Sequence, residues 1–272
     1  MTSKLRTVIG LLLVAGYLFP IYWMVTASFK TQADIRAVPP QLVPSSPELT
    51  TWRERIFSDP RVPHYVTNSF IVATGTMLLT VLLAAPAAYA LARFRLRGRG
   101  FVMFFCLGSL MFPAIMLATP LFVIFNRLEL TDTYLGLVLA DSTLALPYAI
   151  VLLRPTFAKI PAEYTEAALI DGCSPLRAFA SVVLPLAKPG VATVAVLSFL
   201  WGWGDLVFAL TLVNDDAKRP VTTGLWAFFG ANTADWGGAM AFATIAMLPP
   251  LLVFLLFQRL VVAGVGAGGL KG

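Results

Sequence analysis

The sequence predicts an all-α membrane protein with six transmembrane helices and both termini in the cytoplasm. Three observations carry that prediction. Hydrophobic residues fill 58% of the 272 positions, charged residues fill only 12%, and mean hydropathy is +0.80, far from the averages of soluble domains. Six stretches are long enough to cross a hydrocarbon core, which takes about 20 apolar residues. The basic residues flanking those stretches divide unevenly between the two sides.

In chain order, the first stretch covers about 7–29. Lys4 and Arg6 give it the basic start of a signal peptide, but it stays apolar to Phe29, beyond the roughly 7 to 15 residues of a cleavable apolar region. It reads as a retained helix. A polar loop at 30–66 leads to the second span, about 68–92, followed by the third, about 101–125, and the fourth, about 133–153. A segment punctuated by Pro and Ser, 154–190, precedes the fifth span, about 189–213, and the sixth covers about 236–258. Four spans carry no charge, while the fourth and fifth carry one aspartate each, Asp141 and Asp205. Prolines such as Pro20, Pro86, Pro113 and Pro147 fall inside spans and kink them. The chain reads as one membrane domain over 1–272.

Cytoplasmic loops carry the excess of Lys and Arg, and short loops count most. The loop holding Arg93, Arg95, Arg97 and Arg99 therefore lies inside. That assignment leaves twelve basic residues inside and eight outside, five of the eight in the 30–66 loop. Both termini and the 154–190 segment are then cytoplasmic, and 30–66 is extracytoplasmic. The net charge of +6 is a topology signal. No basic residues interleave with aromatics outside the membrane, so the composition does not point to nucleic acid.

Several chemistries lack their residues. Cys106 lies in the third span and Cys173 in the cytoplasmic segment, too far apart in topology to pair. His64 is the single histidine, so no histidine cluster or Ser-His-Asp triad can be assembled. No lysine follows the glycine spacing of a phosphate-binding loop, and any energy from ATP has to come through a partner.

The two intramembrane acids need a reason, because an aspartate costs about 2.5 to 3.5 kcal/mol at a helix centre on insertion scales. Each lies about eight residues from the outer end of its span, roughly 12 Å deep at 1.5 Å per residue. They are placed to share an aqueous cavity and bond sugar hydroxyls, or else to satisfy neighbouring helices. Gly202-Trp203-Gly204-Asp205 also spells the Gly-x-Gly-Asp of intramembrane aspartyl proteases, in which two carboxylates sharing a proton activate water. Against that alternative, Ala140 stands where a tyrosine would precede Asp141, and the Pro-Ala-Leu element is absent.

The segment from Ile160 to Gly190 is the most specific part of the chain. Pro161 suits a helix start, Glu163 and Glu166 put negative charge near the N-terminus, and Gly172 suits a left-handed close. These predict a short helix over about 162–171. Ser174 and Pro175 are an N-cap and first-turn pair for a second helix, whose Leu176, Phe179, Ala180 and Val183 recur at helical spacing until Pro185 ends it. Such a hairpin either docks a partner or lies on lipid.

Glu166-Ala167-Ala168, three residues, Gly172, nine residues, then Val182, one residue, Leu184-Pro185 resembles the loop signature of the inner-membrane permeases of ABC importers. The likeness spans the chain and is similar to the carbohydrate branch that includes the smaller permease of maltose transporters. Phe19-Pro20, Ser28-Phe29-Lys30-Thr31, Asn68-Ser69, Ala88 to Phe94, Asp132 to Leu137 and Leu270-Lys271-Gly272 look like landmarks of that branch. Three departures stand out: Cys173 replaces a common alanine, Trp203-Gly204 replaces a Trp-Asn pair, and the tail is richer in glycine at Gly266, Gly268 and Gly269.

The resemblance implies a type I ABC importer permease fold in a bacterial plasma membrane, with no enzymatic chemistry in this chain. It implies a second permease subunit, a pair of ATPase subunits that bind ATP and Mg, an extracytoplasmic substrate-binding protein, and a carbohydrate substrate. It further implies ATPase coupling through Glu166, Ala167, Ala168, Asp171, Gly172, Leu184 and Pro185. Asp205, Trp203 and Asp141 become candidates for the translocation path, and Lys271 in the Gly-rich tail for ATPase contact.

Overall fold

In the computed structural model, which describes residues 3–229 and 234–268, the chain is helical almost throughout. The principal helices are α1 (Ser3–Ala27), α2 (Arg61–Arg93), α3 (Arg99–Ser109), α4 (Ala114–Arg127), α5 (Tyr134–Ala158), α6 (Ala162–Ile170), α7 (Pro175–Leu186), α8 (Lys188–Gly204), α9 (Val207–Leu212) and α10 (Trp236–Gly268). Four of them, α1, α2, α5 and α10, are long and apolar enough to cross a membrane. The number rises to six if the bent pairs α3–α4 and α7–α8 each count as one span.

Two of the expected spans are not straight rods. The stretch 101–125 bends by 102° between α3 and α4. Pro113 explains the bend, since the residue before a proline is pushed out of helical geometry and the ring itself has no N–H to donate. The stretch 189–213 is interrupted at Asp205, whose extended backbone (φ −65°, ψ 129°) ends α8, and the chain becomes helical again at Val207.

The residues group into two compact units. One comprises the chain up to Val66 with Thr223–Pro249; the other comprises Thr67–Thr222 with the chain from Pro250 onward. In the first unit, buried Lys30 donates from Nζ to the Gln41 carbonyl at 2.5 Å and lies 4.1 Å from the Trp23 ring centre. Trp52 stacks on Phe29 at 5.4 Å and donates to Ser28 Oγ at 3.3 Å. These contacts fasten 28–57 to the end of α1. A polar cleft of about 420 Å³ opens there, lined by Lys30, Arg36, Glu48, Glu54, Arg55 and Asp235 among others.

The second unit is built on α2, α5 and α8. Their crossings use small residues, which let helix backbones approach closely: Gly75 against Val138, Gly190 against Thr156, and Gly202 against Thr76. One core joins Ala84, Ala88, Leu153, Phe157, Val183 and Val194. A second joins Val72, Phe125, Leu137, Ala140, Phe208 and Leu212.

At one end of this unit, polar groups tie the 214–221 segment to the helices. Asn68 donates from Nδ2 to the Ala217 and Arg219 carbonyls, both at 2.9 Å, and accepts from Tyr134 Oη at 2.8 Å. Asp132, at φ +56°, accepts from the backbone N–H of Asn214 and Asp215 at 2.6 and 2.8 Å. Ser69 Oγ accepts from Val221 N–H at 2.8 Å.

Candidate functional site

The helical hairpin α6–α7 is held from behind by aromatic packing. Tyr89 of α2 lies 4.9 Å from the Phe179 ring and 5.7 Å from Phe157. The Arg93 guanidinium donates to the Ile160 carbonyl and so fastens the chain where it leaves α5. Sequence reading counted Arg93 toward topology and within the Ala88 to Phe94 landmark, but gave it no bonding partner.

Helix α6 begins after Pro161, whose φ of −58° and ψ of 142° put it at the boundary just before the helix. Its other end is a Schellman close: Cys173 N–H bonds the Ala168 carbonyl at 2.9 Å and Gly172 N–H bonds Leu169 at 3.1 Å. Gly172 takes φ +84°, the conformation this motif requires. Ser174 then caps α7 by accepting from Arg177 N–H at 3.3 Å.

The apolar stripe of α7 differs from the expected Leu176, Phe179, Ala180 and Val183. The turn Phe179–Val183 is π-type, and its extra residue per turn shifts the register. Ala178, Phe179 and Val183 face inward, whereas Leu176 and Ala180 are exposed. Pro185 does not end the helix; α7 runs to Leu186, and the chain then turns by 82° into α8.

Of the coupling candidates, Ala168 is buried and Leu184 half-buried, while Glu166, Ala167, Asp171, Gly172 and Pro185 are exposed. Beside them Ile170 is 85% exposed and Leu176 is 76% exposed, with Leu169 and Tyr164 also open. The hairpin therefore presents large apolar side chains on a rigid, capped turn, with acidic Glu166 and Asp171 alongside.

The path candidates sit together in the second unit but in different surroundings. Asp205 is half-buried and caps α9 by accepting from Ala209 N–H at 2.9 Å and Phe208 N–H at 3.3 Å. Trp203 is buried and stacks on Phe199 at 5.8 Å. Asp141 has no exposed surface, and neither carboxylate oxygen has a hydrogen-bond partner. Gly204 is exposed. Lys271 lies outside the described residues.

These positions give the protease alternative no support. Asp205 spends both oxygens on backbone N–H groups, and Asp141 is closed to solvent, so no water is presented between two carboxylates. No group of three or more His, Cys, Asp or Glu able to hold a metal occurs among the described residues.

Comparison with known proteins identifies the family. The family described as the binding-protein-dependent transport system inner membrane component matches residues 80–266. The sulfoquinovosyl glycerol transport system permease protein SmoH of Agrobacterium fabrum is 34% identical, covering 99% of this chain and 94% of that protein. The trehalose transport system permease protein SugB of Mycobacterium tuberculosis is 37% identical over 96% of this chain and 95% of its own length. A chain from the crystal structure of a bacterial ABC transporter for import of the acidic polysaccharide alginate shares the fold, with a TM-score of 0.80, 22% identity and coverage of 94% and 95% of the two chains. With the family matched across more than half its length, and relatives matched nearly end to end, this chain belongs to the inner membrane components of binding-protein-dependent transport systems.

Proposed function

We propose that the chain is a permease subunit of an ATP-driven importer that moves a carbohydrate by alternating access. The observation that carries this reading is the exposed apolar knuckle of Leu169, Ile170 and Leu176, held on a capped hairpin in a chain of this family. The carbohydrate assignment is supported by relatives named for trehalose and for sulfoquinovosyl glycerol.

A pair of ATPase subunits, which bind the ATP and Mg, seats the knuckle, and this chain carries no cofactor. Glu166, Ala167, Ala168, Asp171 and Gly172 meet the ATPase; Leu184 and Pro185 pass its motion to α8 through the 82° corner. A second permease subunit completes the path. An extracytoplasmic binding protein delivers sugar to the 30–66 and 214–235 surfaces. Half-buried Asp205 beside exposed Gly204 meets the sugar, with Trp203 and Asp141 forming the wall behind, and Lys271 reaches the ATPase.

The test is affinity purification in mild detergent with mass spectrometry and an ATPase assay. The wild-type chain is expected to retain a second permease and an ATPase. Ile170→Asp is expected to lose the ATPase while keeping the second permease, because a charge in an apolar seat is left unpaired. Full ATPase retention by Ile170→Asp would reject the knuckle as the docking element.

A further inference from the structure

The geometry points to a monovalent metal-cation site, of sodium type, inside the second unit at Asp141 and Thr76, next to the break between α8 and α9. Asp141 is fully buried, and both its oxygens lack partners. The Thr76 hydroxyl is the one side-chain hydrogen-bonding group that reaches the carboxylate, and it does so without the geometry of a well-formed bond. Thr80, one turn along on the same face of α2, is likewise buried and unbonded.

The threonines are the unusual part. A helical threonine normally satisfies its hydroxyl on a carbonyl of the preceding turn. Thr193 does so at 2.9 Å, Thr211 at 2.7 Å and Thr143 at 2.7 Å. Thr76 and Thr80 do not use that partner, which leaves the Thr76 oxygen facing the carboxylate.

Charge balance points the same way. Asp205 is offset by the backbone N–H groups it caps, whereas Asp141 has no backbone donor and only the Thr76 hydroxyl near it. The chain places no Lys, Arg or His in α2 between His64 and Arg93, in α5 before Arg154, in α8 after Lys188, or in α9. The carbonyl end of α8 adds further negative potential. Gly202, in its last turn, brings the backbone so near α2 that a Cβ there would lie 3.0 Å from Thr76 Oγ1. A carboxylate, hydroxyls and the carbonyl end of an interrupted helix are hard oxygen donors of the kind that hold small cations in membrane interiors.

The experiment uses the full chain purified with its retained subunits, in choline chloride with added sodium at constant ionic strength. Wild type is expected to bind radiolabelled sodium saturably and to gain on the order of 5 °C in Tm at saturation. Asp141→Asn is expected to lose one sodium equivalent per copy of this chain and the Tm response. Thr76→Val keeps the carboxylate and is expected to weaken sodium binding about tenfold, which covers the case in which Asp141→Asn fails to assemble. The inference is overturned if wild type shows no saturable sodium binding, if both variants bind as wild type does, or if the Tm responds to pH alone, which marks a plain protonated acid. Sodium binding is read independently of sugar uptake, so its failure leaves the importer reading untouched.

Discussion

Single positions decide how closely α8 approaches α2. A Cβ at Gly202 would meet Thr76 Oγ1 at 3.0 Å and the Ala73 Cα at 3.1 Å, and the second of these is backbone that cannot step aside. Gly202→Val is expected to destabilise the protein by about 1–3 kcal/mol through overpacking, read as a lower Tm in detergent. Gly204→Ala is the control, since nothing lies within 4 Å of its Cβ position, and it is expected to stay within about 0.5 kcal/mol of wild type. The two glycines stand two positions apart in sequence and differ by their whole environment in the fold. That difference was not legible beforehand: the Gly-x-Gly-Asp string suggested chemistry, whereas one glycine is a packing notch and the aspartate is a helix cap.

At the scale of elements, the segment 214–221 shows how polar side chains replace missing secondary structure. Asn68, Ser69 and Asp132 each hold backbone groups of that segment. Asp132→Ala is expected to hand the exposed Asn214 and Asp215 N–H groups to water at a cost of about 0.5–1.5 kcal/mol, raising hydrogen exchange across 214–219 without changing exchange in α5. The sequence reading picked out Asn68-Ser69 and Asp132-Thr133-Tyr134 as landmarks, and their bonds give the physical reason. Hairpin ends were readable because Pro, Ser and Gly act locally: Ser174 caps, and Gly172 adopts φ +84°. The side-chain stripe of α7 was less so: Phe179 and Val183 face inward as expected, but Leu176, ahead of the wide turn at Phe179–Val183, is exposed and Ala178 takes the inward place. The kink at Pro113 was readable from the proline itself, whereas the interruption at Asp205 was not. Hydropathy measures how apolar a stretch is and ignores where its hydrogen bonds fail.

For the whole molecule, composition and loop charge make the orientation prediction, and it is tested directly. In a variant with Cys106 and Cys173 replaced by serine, a cysteine at position 97 is expected to react with an impermeant thiol reagent only from the cytoplasmic side. One at position 50 is expected to react only from the opposite side. The reverse pattern would invert the assignment of the hairpin face and with it the proposed ATPase seat. Twelve basic residues against eight is a modest margin, and the weight falls on the short Arg93–Arg99 loop because short loops dominate orientation.

Gly172 has φ +84° and no atom within 4 Å of the place where a Cβ would stand. The barrier to a side chain there is handedness, since space is available. L-alanine at 172 is strained by about 1–2 kcal/mol, whereas D-alanine, introduced by semisynthesis, would occupy its own favoured region and keep the Schellman turn. A mirror-image residue at this one position therefore separates the contribution of the turn's shape from that of the atoms it carries.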